Sequence, residues 1–161
     1  MTEAETEWLT EPEAEAWRAF LAVVNRVFPE IERTLRDHDL LGVHYTVLVA
    51  LSEAPDRTMR LSQLADTANC SLSRLSHRIR ALVERGEVAI AADPDDGRAK
   101  NATLTDAGLT RLQTAAPEHV ADVRRLVFDR LSPAQTAALA DALCTVADGL
   151  CGDPRLLNPN G

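Results

Sequence analysis

The chain has 161 residues, 45% of them hydrophobic and only 4% aromatic, which is enough for one core built mainly from leucine, valine and alanine. Three irregularly spaced cysteines argue against a disulfide framework or a metal site, and neither a membrane span nor a secretory signal is recognisable, so we expect a cytoplasmic protein without a cofactor. The net charge of −8 argues at first sight against a nucleic-acid partner.

Charge is distributed unevenly along the sequence, and only its middle part is basic. Residues 1–56 hold 12 acidic and 4 basic side chains, residues 57–101 hold 6 and 8, and residues 102–161 hold 7 and 5. Every basic side chain except Lys100 is an arginine. Its planar guanidinium group suits phosphate and guanine, although a high G+C coding bias explains most of this preference. The distribution places any nucleic-acid site within residues 57–101.

Long helices are predicted at both ends of the chain. Thr10 followed by Glu13 fits a capping box, and apolar residues recur every three or four positions from there to about residue 36. Near the other end, Thr105 and Ser132 are predicted to cap two further helices. The first helix cannot bury its apolar stripe alone, so either the C-terminal helices or a second subunit must cover it.

The middle of the chain is predicted to contain short helices, a polar turn and a β-hairpin. The expected elements are helices at 44–53, 61–67 and 71–85 and strands at 87–92 and 99–104. Asn69 and Cys70 form the turn before the 71–85 helix, Gly86 ends that helix, and the loop DPDDGR joins the strands. This is the order of a helix-turn-helix followed by a wing, so the predicted fold class is mainly α with a small β-hairpin wing.

The predicted helix at 71–85 has the two faces that DNA recognition requires. Its apolar positions are predicted to face the core: Leu72, Leu75, Ile79, Leu82 and Val83. Its other face carries hydroxyl groups and cations: Ser71, Ser73, Arg74, His77 and Arg78. A major groove about 12 Å wide accepts a helix, and there arginine reads guanine edges while hydroxyl groups bind phosphate. The neighbouring helix, turn and wing favour DNA recognition over an ordinary solvated face.

The wing loop contains both cations and acids. Arg98 at the tip is predicted to enter a minor groove, where the electrostatic potential is strongly negative, and Lys100 follows it. Asp96 is expected to pair with Arg98 or a nearby arginine and to fix its direction. The alternative is a plain acidic turn with an incidental arginine, because unpaired carboxylates beside a phosphate backbone are unfavourable.

These segments together resemble the MarR family of bacterial transcription regulators. The matching segments are LSQLAD at 61–66, SLSRLSHRIRALVERGEV at 71–88, DPDDGRAKNATLTDAG at 93–108 and LSPAQTAAL at 131–139. The triplet at 96–98 matches the family's Asp-x-Arg wing signature, and the resemblance spans about residues 14–150. Each segment alone is weakly specific, but their order and spacing together are fairly specific.

The resemblance implies a homodimer that binds double-stranded DNA. Helices from both ends of two chains would form the dimerisation region, and the two DNA-reading helices would lie about one DNA turn apart on a palindromic operator. Many members of this family repress genes until a small, often aromatic acid releases them. The expected division is an arm at 1–9, a helical dimerisation region at 10–36 and 106–150, a winged helix-turn-helix at 43–105 and a tail at 151–161.

No motif defines a ligand pocket. If one exists, we expect it where the first helix, the second helix and the helix that begins near 106 meet, with four candidate polar groups: Arg18, His38, His44 and Tyr45. Simpler roles are available, because His38 fits a solvated loop, His44 a helix cap and Tyr45 the core. His119 is expected to be structural.

Two other functions compete with the ligand-responsive repressor. A regulator can sense oxidants through a thiolate, and Cys70 lies at a helix start near Arg74, although a small buried turn residue is the simpler interpretation. A winged-helix adaptor that binds another protein and has lost DNA affinity would fit the acidic balance. No catalytic motif is recognisable, so we expect no enzyme activity.

Overall fold

The computed structural model describes residues 7–94 and 96–150, and within them the fold is mainly helical with one small sheet, as predicted. The helices are α1 Glu11–Asp37, α2 Gly42–Glu53, α3 Leu61–Thr67, α4 Leu72–Arg78, α5 Arg80–Glu84, α6 Asp106–Leu126 and α7 Pro133–Leu150. The strands are β1 Thr58–Arg60, β2 Val88–Ala92 and β3 Lys100–Leu104. Most of the expected N-terminal arm and the whole expected tail lie outside the described residues.

The predicted helix starts are confirmed by their hydrogen bonds. The Thr10 backbone N–H donates to the Glu13 carboxylate at 2.7 Å, and the Gly108 N–H donates to the Thr105 hydroxyl at 3.1 Å. Ser132 and Gln135 bond reciprocally at the start of α7. These bonds satisfy N–H groups that have no partner inside the helix. α1 continues through Pro29, so this proline does not end the helix.

The predicted helix at 71–85 is interrupted at Ile79, which divides it into α4 and α5. At that point the Arg78 carbonyl accepts a hydrogen bond from His44 Nε2 at 2.9 Å. A side chain that bonds to a helix carbonyl can interrupt the i to i−4 series, and this gives a physical reason for the break. Gly86 follows α5 with φ +69°, the left-handed conformation predicted for a helix-ending glycine.

The sheet has the strand order β1-β3-β2, and both pairings are antiparallel. β2 and β3 form the predicted wing hairpin, with Val88 opposite Leu104 and Ala92 opposite Lys100. β1 was not predicted, because three residues after a Pro-containing turn are too short to show an alternating pattern. It anchors β3 to the segment that leads into α3.

The hydrophobic core lies between α2, α3, the α4–α5 pair, the sheet and the first half of α6. Its fully buried large side chains are Leu35, Leu40, Val47, Leu48, Leu51, Leu64, Leu75, Leu82 and Val88. Gly108 in α6 packs so closely that an added Cβ would lie 2.1 Å from the Glu87 carbonyl oxygen. The carboxylate of buried Glu87 accepts hydrogen bonds from Arg85 Nη2 and Arg111 Nε, each at 2.8 Å. These ion pairs join the segment between α5 and β2 to α6.

Much of the apolar surface of α1 and α7 is not covered by the described residues of this chain. Trp17 is 52% exposed, Val23 51% and Phe28 58%, and α7 has no buried residue. None of the described helices combines the length and apolar composition needed to cross a bilayer. The unpartnered faces of α1 and α7 are therefore surfaces that a second chain can cover.

Candidate nucleic-acid interface

The turn between α3 and α4 places the first residues of α4 in solvent. Asn69 adopts φ +46°, and the Cys70 N–H donates to the Ala65 carbonyl at 2.9 Å, which closes the turn. Ser71 then caps α4, since its hydroxyl accepts the Arg74 N–H at 3.3 Å. The same hydroxyl lies 3.2 Å from that of Ser73, so two hydroxyl groups stand together at this helix start.

The outward face of α4 contains all five residues predicted for it. These side chains are exposed: Ser71, Ser73, Arg74, His77 and Arg78. On the opposite face Leu75, Ile79 and Leu82 are buried.

The predictions that Leu72 and Val83 face the core are wrong, because they are 49% and 38% exposed. Leu72 begins α4, where its immediate neighbours Ser71, Ser73 and Arg74 are exposed. Val83 lies one residue past buried Leu82 and so points about 100° away from it.

Acidic groups of the wing are directed toward partners inside the protein. The carboxylate of buried Asp93 accepts a hydrogen bond from Arg60 Nε at 3.0 Å and another from the Asp96 backbone N–H at 3.2 Å. The Asp96 carboxylate accepts the backbone N–H of Arg98 at 3.1 Å. Asp96 thus holds the Arg98 backbone rather than its guanidinium group, and the exposed Arg98 side chain forms no ion pair with the described residues. Asp95 lies outside the described residues.

Cations without a carboxylate partner are concentrated on α4, α5 and the wing. In the described part of the chain these side chains form no ion pair: Arg74, Arg78, Arg80, Arg98 and Lys100. Most other arginines are paired: Arg18, Arg33, Arg57, Arg60, Arg85, Arg111, Arg124 and Arg125. Of the eight described cations that form no ion pair, five therefore lie on the helix-turn-helix and wing, while Arg26, Arg36 and Arg130 lie on α1 and between α6 and α7.

Comparison with known proteins decides the family. The MarR family model matches residues 38–99. The chain is similar to AbsC, a MarR family transcriptional regulator from Streptomyces coelicolor, with 38% identity and a TM-score of 0.86 over 92% of this chain and 100% of AbsC. The chain belongs to the MarR family.

A second structure connects this MarR fold to DNA. Sco3205, a MarR family transcriptional regulator from Streptomyces coelicolor, was solved in complex with DNA; it is 39% identical, with a TM-score of 0.85 over 92% of this chain and 93% of Sco3205. CouR from Rhodococcus jostii RHA1, solved bound to p-coumaroyl-CoA, shares the fold at 24% identity and a TM-score of 0.71 over 80% of this chain and 89% of CouR. No protein with a curated functional description matched. As a member of the MarR family, the chain is a DNA-binding transcription regulator.

A large groove separates α1 from the helix-turn-helix of this MarR protein. It has a volume of about 1270 Å³ and is lined by α1, α2, β1 and α3, with His119 from α6. Tyr45 and His119 meet in it with ring centroids 4.2 Å apart. Burial raises the pKa of Tyr45. Burial also lowers the pKa of His119 against the opposing effect of Asp122, so both rings are neutral near pH 7.

The four predicted ligand residues are not brought together. Tyr45 alone lines the groove. Arg18 forms an ion pair with Glu11 at the exposed start of α1, with 2.9 Å between nitrogen and oxygen. His38 follows the other end of α1, and its Nε2 lies 3.2 Å from the carboxylate of Glu118 in α6. His44 is buried on the far side of α2, where it bonds to α4.

Sequence reasoning missed the groove's own polar residues. His119 was assigned a structural role, and the groove carboxylates of Glu32, Glu53 and Asp66 were not singled out. They come from four helices and share no motif, so only the fold brings them to one place. In the sequence, the polar residues of α2 and α3 that line the groove cannot be distinguished from ordinary solvent-exposed residues.

Proposed function

We propose that this protein is a homodimeric repressor that binds a palindromic DNA operator and is released by a small ligand with an aromatic or phenolic body. The observation that carries the proposal is the free positive charge on α4 and the wing of an otherwise acidic chain. Phosphate contacts need cations that are not already neutralised, and the nearby Asp93 and Asp96 are occupied by internal hydrogen bonds.

In this proposal the outward face of α4 enters the major groove. Arg74 and Arg78 are one turn apart on that face, so they can reach successive base edges or phosphates, and Ser71 and Ser73 supply hydroxyl donors to phosphate at the helix start. His77 lies between the two arginines. The wing places Arg98 and Lys100 at the adjacent minor groove or backbone, where cations are favoured.

The uncovered apolar faces of α1 and α7 support a dimer of this chain. The dimerisation region expected at residues 10–36 and 106–150 contains both faces. Trp17 stacks on Phe20 at 5.8 Å, which forms one apolar platform on α1. Two-fold symmetry would place two α4 helices on one side of the dimer, and such an arrangement matches a palindromic operator.

The groove between α1 and α3 is the candidate site for the releasing ligand. It touches α3, the first helix of the helix-turn-helix, and one side of α2. The other side of α2 carries His44, which bonds to the end of α4. A ligand that favours a different position of α2 or α3 would therefore change the direction of the DNA-reading helix. The CouR structure provides an example in which this fold holds a ligand.

The oxidant-sensing and adaptor alternatives have less support. Cys70 is half-buried in the turn before α4, and it forms no disulfide with Cys144, the other described cysteine, which is on α7. An adaptor without DNA affinity would not require the free cations of α4 and the wing. Loss of DNA binding after peroxide treatment in the wild type, but not in Cys70→Ser, would revive the thiol alternative.

The test is DNA binding by the unmodified protein. We expect tighter binding to the DNA upstream of its own coding region than to a shuffled duplex of the same length, measured by fluorescence anisotropy, with two chains on each operator. The logarithm of the binding constant should fall linearly with the logarithm of salt concentration, by about 0.9 for each phosphate contact. Equal weak binding to both duplexes at every salt concentration would contradict the regulator proposal and favour the adaptor.

A further inference from the structure

We propose that the ligand of the groove is an organic cation, with an apolar or aromatic body and a protonated amine, rather than an aromatic acid. This inference rests on the proposed function, because it names the chemical class of the ligand for the same groove. It follows from the charges and the apolar surface that the groove presents.

Every formally charged side chain that lines the groove is acidic. Glu32, Glu53 and Asp66 contribute carboxylates, and no lysine or arginine of the described residues lines it. Glu53 and Asp66 form no ion pair with any residue in the described ranges, and both are exposed. Their charges are therefore available to a ligand, and they would repel an anion.

Two groups that could attract an anion are used or neutral. A helix start favours an anion through its free backbone N–H groups, but at the start of α2 the Gly42 N–H donates to the carboxylate of Glu32 at 2.9 Å. His119 would offer a positive charge only if protonated, and burial opposes that by lowering its pKa. A carboxylate ligand would consequently lose its hydration without gaining a cationic partner.

The remaining walls suit the body of an amphipathic cation. Apolar and aromatic side chains cover much of the groove: Phe28, Ile31, Val43, Tyr45, Val49 and Met59. Aromatic faces such as that of Tyr45 attract an ammonium group through the ring quadrupole. His119 Nδ1 is buried and has no hydrogen-bond partner among the described residues, so the wall that His119 contributes to the groove contains an unsatisfied polar atom.

The test compares two probes that share a body and differ in charge, 4-phenylbutylamine and 4-phenylbutyrate. Each is titrated into the full-length wild-type protein by isothermal titration calorimetry, and each is then added to the protein bound to fluorescent operator DNA. We expect the amine to bind at least about tenfold more tightly than the carboxylate and to release DNA at lower concentration.

Two double variants locate the effect. Glu53→Gln/Asp66→Asn removes two charges from the groove and should weaken amine binding by about tenfold. Asp37→Asn/Asp39→Asn removes two charges at the end of α1, outside the groove, and should leave amine binding unchanged. Circular dichroism and DNA affinity without ligand check that both variants are folded and active.

The proposal is overturned if the carboxylate binds as tightly as the amine, if neither probe binds, or if the two double variants behave alike. These results concern only the ligand, because ligand-free protein would still bind its operator. Failure of the proposed function would instead appear as absence of specific DNA binding before any probe is added.

Discussion

Both ring nitrogens of His44 form hydrogen bonds, one to the start of its own helix α2 and one to the end of the DNA-reading helix. The Leu41 N–H donates to Nδ1 at 3.3 Å, and Nε2 donates to the Arg78 carbonyl at 2.9 Å, because a carbonyl oxygen can only accept. These two bonds select the neutral tautomer with the proton on Nε2. Burial lowers the pKa of His44, and its main opposing influence is the hydrogen bond to Arg78. Charged neighbours also act on it, with Arg85 lowering its pKa and Glu87 and Glu32 raising it.

This depressed pKa predicts a loss of stability in mild acid. The unfolded chain binds a proton at His44 near pH 6.5, whereas the folded chain binds it only at lower pH, so the free energy of unfolding should fall as pH decreases below about 6.5. His44→Gln keeps a donor for the Arg78 carbonyl but cannot titrate. Urea unfolding between about pH 5 and 7.5 should show a smaller pH dependence in this variant than in the wild type.

His119 is a second source of the same pH dependence, because burial lowers its pKa as well. A double variant therefore serves as the control. His44→Gln should remove part of the pH dependence and His44→Gln/His119→Gln should remove more. If His44→Gln unfolds with the same pH dependence as the wild type, protonation of His44 is not coupled to folding. Operator binding at pH 7.5 then tells whether the glutamine still positions α4.

Polar contacts near the wing illustrate what could not be predicted at the residue scale. Exposure of Ser71, Ser73, Arg74, His77 and Arg78 follows from helical periodicity, a local property of the sequence. The Arg60–Asp93 pair joins residues 33 positions apart and depends on β1, a strand too short to recognise. Pairing of Asp96 with an arginine side chain was expected, yet its carboxylate bonds to the Arg98 backbone.

At the scale of elements, helix starts and the wing hairpin were predictable because short side-chain patterns determine them. The interruption at Ile79 was not, because its cause is His44, which lies 34 residues before Arg78. Exposure of Leu72 was also missed, since periodicity identifies an apolar stripe but not where the core ends along it. The groove lies beside α1 and α2, where a ligand pocket was expected, but its α3 and β1 walls and the contribution of His119 were not predicted, because these elements must first be placed in space.

Close packing between α6 and β2 predicts a specific effect of a small substitution. In Gly108→Ala the new Cβ would lie 2.1 Å from the Glu87 carbonyl oxygen and 2.6 Å from Leu104 Cδ1, so α6 must move away from the sheet. We expect the free energy of unfolding to decrease by about 1–3 kcal/mol, as for other overpacked sites. Thermal and urea unfolding measure this change.

Gly149→Ala is the matched control for that prediction. It lies in α7, and an added Cβ would have no atom of the described residues within 4 Å. The same substitution should there leave stability unchanged or raise it by up to about 1 kcal/mol, since alanine favours a helix over glycine. Equal destabilisation by both substitutions would mean that the contact of Gly108 with Glu87 is not the cause.

For the whole molecule, the uncovered faces of α1 and α7 are the main feature that a single chain does not explain. Phe20→Asp places a charge on the apolar platform of α1, where Phe20 is 47% exposed. If this platform is buried between two chains, the variant should shift toward monomer in size-exclusion chromatography with light scattering. Its affinity for a palindromic operator should fall, because two half-sites can no longer be bound together.

Asn25→Asp provides the same added charge on the same helix. Asn25 is already polar and exposed and lies about 140° around the helix from Phe20, so this variant should remain a dimer. A wild-type protein that is monomeric at all concentrations, or a Phe20→Asp variant that stays dimeric, would rule out this face as the dimer contact.

The central claim is that the free cations of α4 and the wing hold DNA. The most direct measurement is operator affinity of Arg74→Ala and Arg98→Ala beside Arg36→Ala, which removes an exposed, unpaired arginine at the end of α1. Each of the first two should weaken binding by about 1–3 kcal/mol, roughly 5- to 150-fold in Kd, while Arg36→Ala leaves it unchanged. Wild-type affinity in both Arg74→Ala and Arg98→Ala, with folding intact, would contradict the claim.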